Sequence, residues 1–533
     1  MENKNTVIAL SLMLLVWVGF TLLFPQQPQQ IDENSANVET SDNNQTVNKV
    51  DSTVAAPVIN NEFIAPILDL EQKNIVVEND KFIATFSNVG AAIVSFQLKQ
   101  YTELNDPSSP IVSVVNNNDG IATFIASGNE SLSISDNLIF ATDSPEKIAV
   151  TDNSTITFTA VTSTGLVITK SYNFTKDDYS INSDIVLKNS SNNLLTGDFS
   201  IYMNTLWNDD MQGNRFDFIG PTTLIGEKIK TDDVDDIKEK SIEYVSDIKW
   251  TGFQNKYFMN AVVPISINNI HNLDIAYNKS IVQNILNFNH LSLNPGEAFT
   301  SQFQLYFGPK DVNQLKLAGH DLVKVVDFGF FELLAKPLHT VLNFFYGFIG
   351  NYGVAIILLT IILKLIFWPL TQKSYVSMRA MQTLQPEMKK LREKYSGDKE
   401  TLNKKMMELY KEHRVNPMGG CLPMLVQIPV FFALYKVLLS TIELRHAPFV
   451  FWITDLSIKD PYYITPVIMG LTMFIQQKLT PSTMDPMQAK LMMAMPLVFT
   501  FMFLNFPAGL VIYWLVNNLL TIFQQFLIYR KTE

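Results

Sequence analysis

The chain has 533 residues, 47% of them hydrophobic and only 17% charged. Ordinary soluble domains carry about 25% charged residues, so the composition argues against one large soluble protein, and the length favours more than one domain. A single cysteine, Cys421, excludes a disulfide framework and any cysteine-based metal cluster. The net charge of −11 is unevenly divided: residues 25–330 carry −19 and the remainder +8. An acidic, polar block therefore sits beside a basic, apolar one.

In chain order, residues 1–24 open with a short polar head containing Lys4, followed by an almost unbroken apolar run from Thr6 to Phe24. Such a run matches the about 20 helical residues that cross a bilayer core. A cleaved signal peptide would have a shorter apolar region and a small-residue cleavage site, whereas Phe24-Pro25-Gln26-Gln27 follows here. An uncleaved transmembrane anchor is expected. Residues 25–70, rich in Gln, Asn, Pro, Ser and Asp without apolar periodicity, read as a linker.

Residues 71–311 change character. Apolar and polar residues alternate over Thr155–Val161, Leu166–Phe174 and Ile181–Ile185, with turn residues between the runs. Many short strands at this spacing predict a large antiparallel β-sandwich domain. About 240 residues bury a sufficient core without disulfides. Residues 312–345 read as helix, with Leu315, Leu322, Val326 and Phe330 near one face, Lys316, Lys324 and Lys336 among them, and Gly329 and Pro337 interrupting. Two readings stand: an interfacial amphipathic helix region, or an ordinary helix packed on the sandwich.

Residues 346–533 hold five predicted spans, at about 350–370, 420–440, 462–479, 491–507 and 509–529, the last two separated only by Phe506-Pro507-Ala508-Gly509. With the anchor this predicts a multi-pass α-helical membrane protein of six transmembrane helices. Pro429, Pro466 and Pro496 inside spans are tolerable where neighbouring helices satisfy the freed backbone. Segment 371–418 carries eleven Lys+Arg against six acids. The positive-inside rule places it in the cytoplasm, with both termini, and the sandwich outside.

No phosphate-binding loop, zinc-protease, nucleophile-elbow or dinucleotide fingerprint is present, so neither an enzyme nor a cofactor nor a metal site is expected. A small-molecule substrate is not expected either: a solute transporter would normally carry intramembrane acids or an inverted repeat. The outlier is Lys364, six residues before Leu370 and so about 9 Å from the predicted span end. Its ammonium either snorkels to the headgroups or faces a wet cavity among the helices. Thr360 lies one turn earlier on the same face, and Gln427, Gln476, Gln477, Asn517 and Asn518 lie within the spans, the last two just after Tyr513 and Trp514. Singly each is helix–helix glue; together they would line a hydrophilic cavity at the cytoplasmic half.

Within 371–418, helical stretches at about 374–395 and 399–413 flank Ser396-Gly397-Asp398, which suggests an antiparallel cytoplasmic helical hairpin of net charge +5. Arg379, Lys389, Lys390, Arg392, Lys404 and Lys405 are its candidate contacts to anionic lipids or ribosomal RNA, unless they are simply a solvated face. Methionines are frequent here and at 484–495, as suits flexible apolar surfaces or gap-filling.

The run Asn416-Pro-Met-Gly-Gly-Cys-Leu-Pro-Met-Leu-Val-Gln-Ile-Pro429 resembles the signature of the YidC/Oxa1/Alb3 membrane protein insertases, as do Ile442-Glu-Leu-Arg-His-Ala-Pro448, Asp460-Pro-Tyr-Tyr463 and Phe506-Pro-Ala-Gly-Leu510. The likeness covers about 330–530, and the arrangement of six spans with a large segment after the first resembles the Gram-negative YidC form, with its periplasmic β-supersandwich. The resemblance implies a bacterial inner-membrane insertase and chaperone that helps nascent membrane proteins enter and fold, alone or with the Sec translocon and its accessory subunits. It also implies a five-helix core around a hydrophilic groove open to cytoplasm and lipid. Lys364 stands where the family often has Arg, and Thr360 and Trp514 fall at groove-associated positions. Only Arg530 and Lys531 supply basic charge after the last span, so ribosome contact is expected to rest on 371–418 and the 478–490 loop.

Overall fold

The computed structural model describes residues 71–116, 121–208, 211, 218–395, 397–413, 422–480 and 486–530. The predicted anchor at 1–24, the linker at 25–70 and the Asn416–Cys421 part of the signature lie outside the described residues.

Period-two alternation generates the β region. Strands Asn153–Val161, Leu166–Thr175 and Ser180–Asn189 pair as an antiparallel meander in which Leu166, Ile168, Tyr172 and Phe174 all turn inward. This meander forms one edge of an eight-stranded sheet that continues through Ala298–Pro309, Phe258–Pro264, Ile248–Gln254, Gly220–Ile225 and Lys228–Thr231. Two five-stranded sheets and a two-stranded ribbon complete the domain, and residues from all of them share one apolar core built around Phe86, Phe96, Tyr172, Trp250, Phe303 and Phe307. One pairing departs from the antiparallel expectation: Asn74–Glu78 runs parallel to Lys147–Ala149. The intervening chain crosses the sheet, a connection that alternation within single strands does not encode.

The same alternation carries a lysine inward. Lys170 occupies a core-facing position of Leu166–Thr175 and is fully buried. Its Nζ donates to Phe124 O at 2.5 Å and Gly90 O at 3.4 Å and lies over the Phe124 ring at 4.6 Å. Tyr172 Oη donates to Ala91 O at 2.5 Å. Gly90, Ala91 and Phe124 all have positive φ, so Lys170 and Tyr172 satisfy carbonyls stranded in left-handed turns.

The segment 312–345 is not one helix. It opens with a short helix, Val312–Ala318, capped by the Asp311 carboxylate. Positive-φ residues Gly319, His320 and Asp321 then turn the chain, single 3-10 turns follow, and a second helix spans Glu332–Ile349. Leu315 and Leu322 are buried in the sandwich core, whereas Phe330 is exposed, so they do not share a face. The second helix presents Leu333 and Phe348, 87% and 77% exposed, away from the protein. The first half of the segment is thus packed on the sandwich, and the second leaves an apolar face exposed.

The short helices Val234–Glu239 and Val312–Ala318 are designated α1 and α2, and Glu332–Ile349 is α3. The helical region continues with α4 (Tyr352–Thr383), α5 (Gln385–Lys394), α6 (Lys399–Glu412), α7 (Leu422–Ser440), α8 (Ile464–Leu479), α9 (Pro486–Phe503) and α10 (Ala508–Arg530). Among the described residues, Tyr352–Thr383 and Ala508–Ile528 are each long and apolar enough to cross a membrane. Asn351 caps α4 by accepting from Val354 N, and the helix runs on beyond the predicted end at 370. No breaker stands between Leu370 and Thr383, and a polar helix propagates as readily as an apolar one. Consequently Arg379 belongs to α4, and the hairpin is α5 against α6, with Met388, Leu384 and Leu409 at its centre. Asp398 caps α6 through Glu400 N and Thr401 N.

α10 packs against α4 and α8, and α9 against α8. At Gly470 of α8 a methyl group would stand 1.8 Å from Thr500 Oγ1 of α9, so glycine is required for this close approach.

Two outcomes are expected. Gly470→Ala destabilises the full chain in detergent by about 1–3 kcal/mol through overpacking, and Thr500→Ala restores most of the loss in chemical denaturation. Burial holds the Lys170 ammonium well below the ordinary lysine value of 10.5. The unfolded chain therefore binds a proton the folded domain lacks, so stability rises with pH between the lowered folded value and 10.5. Lys170→Met removes that rise; equal slopes in denaturant titrations of both proteins contradict it.

Candidate functional site

The periodicity of α10 sets the site. Residues 513, 517, 521 and 524 follow i, i+4, i+8 and i+11 spacing and so share one face. On α4, Thr360, Lys364 and Thr371 form the matching stripe. Lys364 is only 7% exposed, and its Nζ donates to Thr521 Oγ1 at 2.6 Å. Thr521 in turn donates to Asn517 O at 2.7 Å, so its hydroxyl serves as both acceptor and donor. One helical turn on, Gln524 Nε2 donates to Thr371 Oγ1 at 2.8 Å. Thr360 returns its hydroxyl to Ile356 O at 2.6 Å. The Lys364 side chain thus reaches from α4 to α10.

A cleft opens beside this seam. Thr360, Lys364 and Thr371 of α4, Gln427 of α7, and Tyr513 and Asn517 of α10 supply its polar lining; Leu363, Phe367, Leu370, Val426 and Val430 supply the apolar part. On the side toward the sandwich, the bundle closes into an apolar core containing Ile356, Leu359, Leu434, Leu438, Leu510 and Ile512. A loop caps that end: Ala508 N donates to Ile458 O and Gly509 N to Leu456 O, which satisfies the first amides of α10. Asp460 accepts from Thr465 N, Thr465 Oγ1, Tyr462 N and Trp452 Nε1. Burial alone would raise its pKa, but these hydrogen bonds outweigh it and hold the carboxyl below the usual range.

The nine residues singled out from sequence do not share one surface. Lys364, Thr360, Gln427, Tyr513 and Asn517 line the cleft. Trp514, rotated about 100° from Tyr513, packs among Phe431, Phe499 and Phe503 instead. Its Nε1 is buried without a hydrogen-bond partner. Asn518 faces α8, donating to Thr472 Oγ1 at 3.3 Å. Gln476 and Gln477 sit on α8 outside the cleft lining, Gln476 with a buried, unpartnered Oε1. Conversely Thr371, Thr521 and Gln524 were missed, although their i, i+4 and i+7 relation to Asn517 and Lys364 was a readable signal.

On the hairpin, Lys389, Lys390 and Lys404 are exposed, Lys405 pairs with Glu408 at 2.7 Å, and Arg392 is half-buried. Toward the sandwich, Ile442 inserts into the β core. Arg445 donates to Thr102 O at 2.5 Å and Glu103 O at 3.0 Å and lies over the rings of Tyr257 and Phe258. The Ile442–Pro448 run is thus the bolt that joins helical region to sandwich.

Thr521→Val keeps the side-chain shape but leaves the buried Lys364 ammonium without its acceptor. It is expected to lower unfolding stability in detergent by about 1.5–3 kcal/mol, with Thr521→Ser close to the parent.

Comparison with known proteins agrees across nearly the whole chain. A family described as 60Kd inner membrane protein matches residues 344–533, and one described as YidC periplasmic domain matches residues 74–341. A membrane protein insertase YidC from Geotalea daltonii is 45% identical over 528 residues, covering 98% of both chains. That of Geotalea uraniireducens is 45% identical over 525 residues, again covering 98% of both. The solved structure of an active YidC insertase with its first transmembrane domain is 18% identical, covers 87% of this chain and 94% of its own, and superposes with a TM-score of 0.36.

Proposed function

The chain belongs to the YidC family of membrane protein insertases, and from that premise we propose that the cleft around Lys364 receives the polar flank of a nascent membrane protein on its way into the bilayer. The family is one of inner-membrane insertases with a periplasmic domain, not of enzymes. The observation that carries the proposal is a buried ammonium, held by Thr521, on the wall of an otherwise half-apolar cleft shared with Thr360, Gln427, Tyr513 and Asn517.

The physical argument runs from cost to path. An unpaired polar group in hydrocarbon costs several kcal/mol. A polar-lined cleft lowers that cost for the flank of a client, and a fixed positive charge favours acidic flanks. The client's apolar segment then leaves along exposed helix faces into lipid, driven by about 0.8 kcal/mol per buried CH₂. No nucleotide chemistry is needed for this sequence of steps. Lysine at 364 retains the charge but lacks the bidentate fork of arginine, so the attraction is electrostatic rather than planar.

The six-span topology with both termini cytoplasmic belongs to the same reading. It rests on the basic 371–418 segment and the acidic sandwich region on opposite sides. At 16 residues, α8 is only about 24 Å long, below the usual hydrocarbon thickness, which favours local thinning of the bilayer beside the cleft. The exposed lysines of the hairpin, Lys389, Lys390 and Lys404, suit transient contact with anionic lipid or ribosomal RNA. The Sec translocon and its accessory subunits are the proposed partners for assisted insertion, on the strength of the family resemblance.

The test combines charge reversal with crosslinking. Lys364→Glu is expected to reduce insertion of clients with acidic flanks about tenfold more than clients with neutral flanks, a difference of about 1.4 kcal/mol. Photocrosslinkers at Gln427 and Asn517 are expected to capture ribosome-bound nascent chains as the apolar segment emerges and to lose them as the chain lengthens. Equal effects on both client classes, or crosslinks only at lipid-facing controls such as Leu497, would overturn the cleft mechanism.

A further inference from the structure

A second crevice lies on the opposite flank of α10. Leu479 of α8 and Leu519, Ile522, Phe523 and Phe526 of α10 enclose about 310 Å³. An enclosed cavity of about 150 Å³ holds benzene, so this space has room for a length of hydrocarbon chain. Its walls are purely apolar and open outward, with Phe523 and Phe526 55% and 57% exposed. The helical wheel separates it from the Lys364 cleft: 517, 521 and 524 face α4, 518 and 525 face α8, and 519, 522, 523 and 526 face outward.

Two hydrogen bonds fix the frame. Asn518 Nδ2 donates to Thr472 Oγ1 at 3.3 Å, and Gln525 Nε2 donates to Thr480 Oγ1 at 3.0 Å. The pairs advance together, so α8 and α10 run parallel; α8 ends at Leu479 beside Gln525, and α10 continues for more than one further turn to Arg530. Toward this end of the two helices stand two exposed basic side chains, Lys478 in the last turn of α8 and, further along, Arg530 at the end of α10. An apolar slot capped by two cations matches one ligand chemistry: an acyl chain in the slot and an anionic headgroup at its mouth.

We propose that the crevice between the ends of α8 and α10 is a binding site for an anionic glycerophospholipid of the cytoplasmic leaflet. The proposal rests on the membrane orientation given above but not on the role of the Lys364 cleft, from which it is separate in space. Its consequence is a bound lipid that fills the gap between α8 and α10 and ties both helix ends to the headgroup layer.

The test uses the full chain in nanodiscs carrying phosphatidylglycerol or phosphatidylcholine probes of identical acyl chains, each with a photoactivatable diazirine. Phosphatidylglycerol is expected to label the peptide containing Leu519–Phe526 in preference to phosphatidylcholine, by about fivefold for each basic side chain at the mouth. Lys478→Gln with Arg530→Gln brings labelling by the anionic probe down to the zwitterionic level, and salt does the same in part. Both positions are exposed, so an unchanged melting curve verifies folding of the double variant. Equal labelling by the two probes, or no change in the double variant, would reduce the crevice to ordinary lipid contact and overturn the proposal. Nascent-chain crosslinks to Phe523 in place of lipid labelling would overturn it as well. In either case labelling of lipid-facing Leu497 and Phe501 by both probes would leave the membrane topology and the Lys364 cleft untouched.

Discussion

An ammonium group buried among membrane helices is the constraint on which the rest of the helical region depends. Lys364 is almost wholly enclosed, and an isolated charge in that position is expensive unless polar groups or water meet it. The protein meets it with one face of α10: Thr521 accepts the proton-bearing nitrogen directly, and the next turn continues the polar seam through Gln524 and Thr371. This seam fixes the rotation of α10. Once that rotation is set, Tyr513 and Asn517 must face the cleft, Trp514 must join the aromatic cluster, and Asn518 and Gln525 must meet α8. A single charged side chain thereby specifies the register of the helix that organises the core.

The sandwich obeys a related rule on the other side of the molecule. Lys170 is also buried without a carboxylate, but there the carbonyls of left-handed turns receive it. In both places the lysine acts as a donor to oxygens that the backbone or a hydroxyl holds in place. The two regions are then joined through a third basic side chain. Arg445 ends in carbonyls at the edge of strand Ala92–Thr102, and Ile442 enters the β core beside it. Carbonyl acceptors give such a joint direction without requiring a matched acid that would have to be desolvated as well.

Much of this was legible in the residues. The alternation of Leu166–Phe174 marked the strand, because a period of two sends alternate side chains to one face; its neighbours came only from the structure. The helix-rich region was legible from its apolar runs, and Asp398 marked the hairpin break by its capping chemistry. The end of α4 was not legible, because the switch from apolar to polar sequence at 370 marks a change of environment and not of backbone. In 312–345 the interruption expected at Gly329 is present as a positive φ, the break at Gly319 was not foreseen, and the one expected at Pro337 is absent, since Pro337 sits in the first turns of α3 where few backbone bonds are lost. Trp514 and Tyr513 are adjacent in sequence and were grouped for that reason; one residue is a rotation of about 100°, enough to put them on different surfaces.

The same geometry bears on the proposed insertion pathway. The end state is favourable by hydrophobic transfer alone, so the protein needs to act only on the barrier. The barrier is set by polar backbone and side chains that must pass through hydrocarbon. The proposed pathway has a matching shape: a cleft with Lys364, Thr360, Gln427, Tyr513 and Asn517 in its polar lining and leucine, phenylalanine and valine in the rest, closed by packed side chains toward the sandwich. A ring of charge would hold an acidic flank too tightly to release it. One ammonium, anchored through one of its three donors by Thr521, is held in place on the cleft wall with further donors left to face it. The partner that makes burial of Lys364 tolerable therefore also fixes where on the cleft wall its charge is presented.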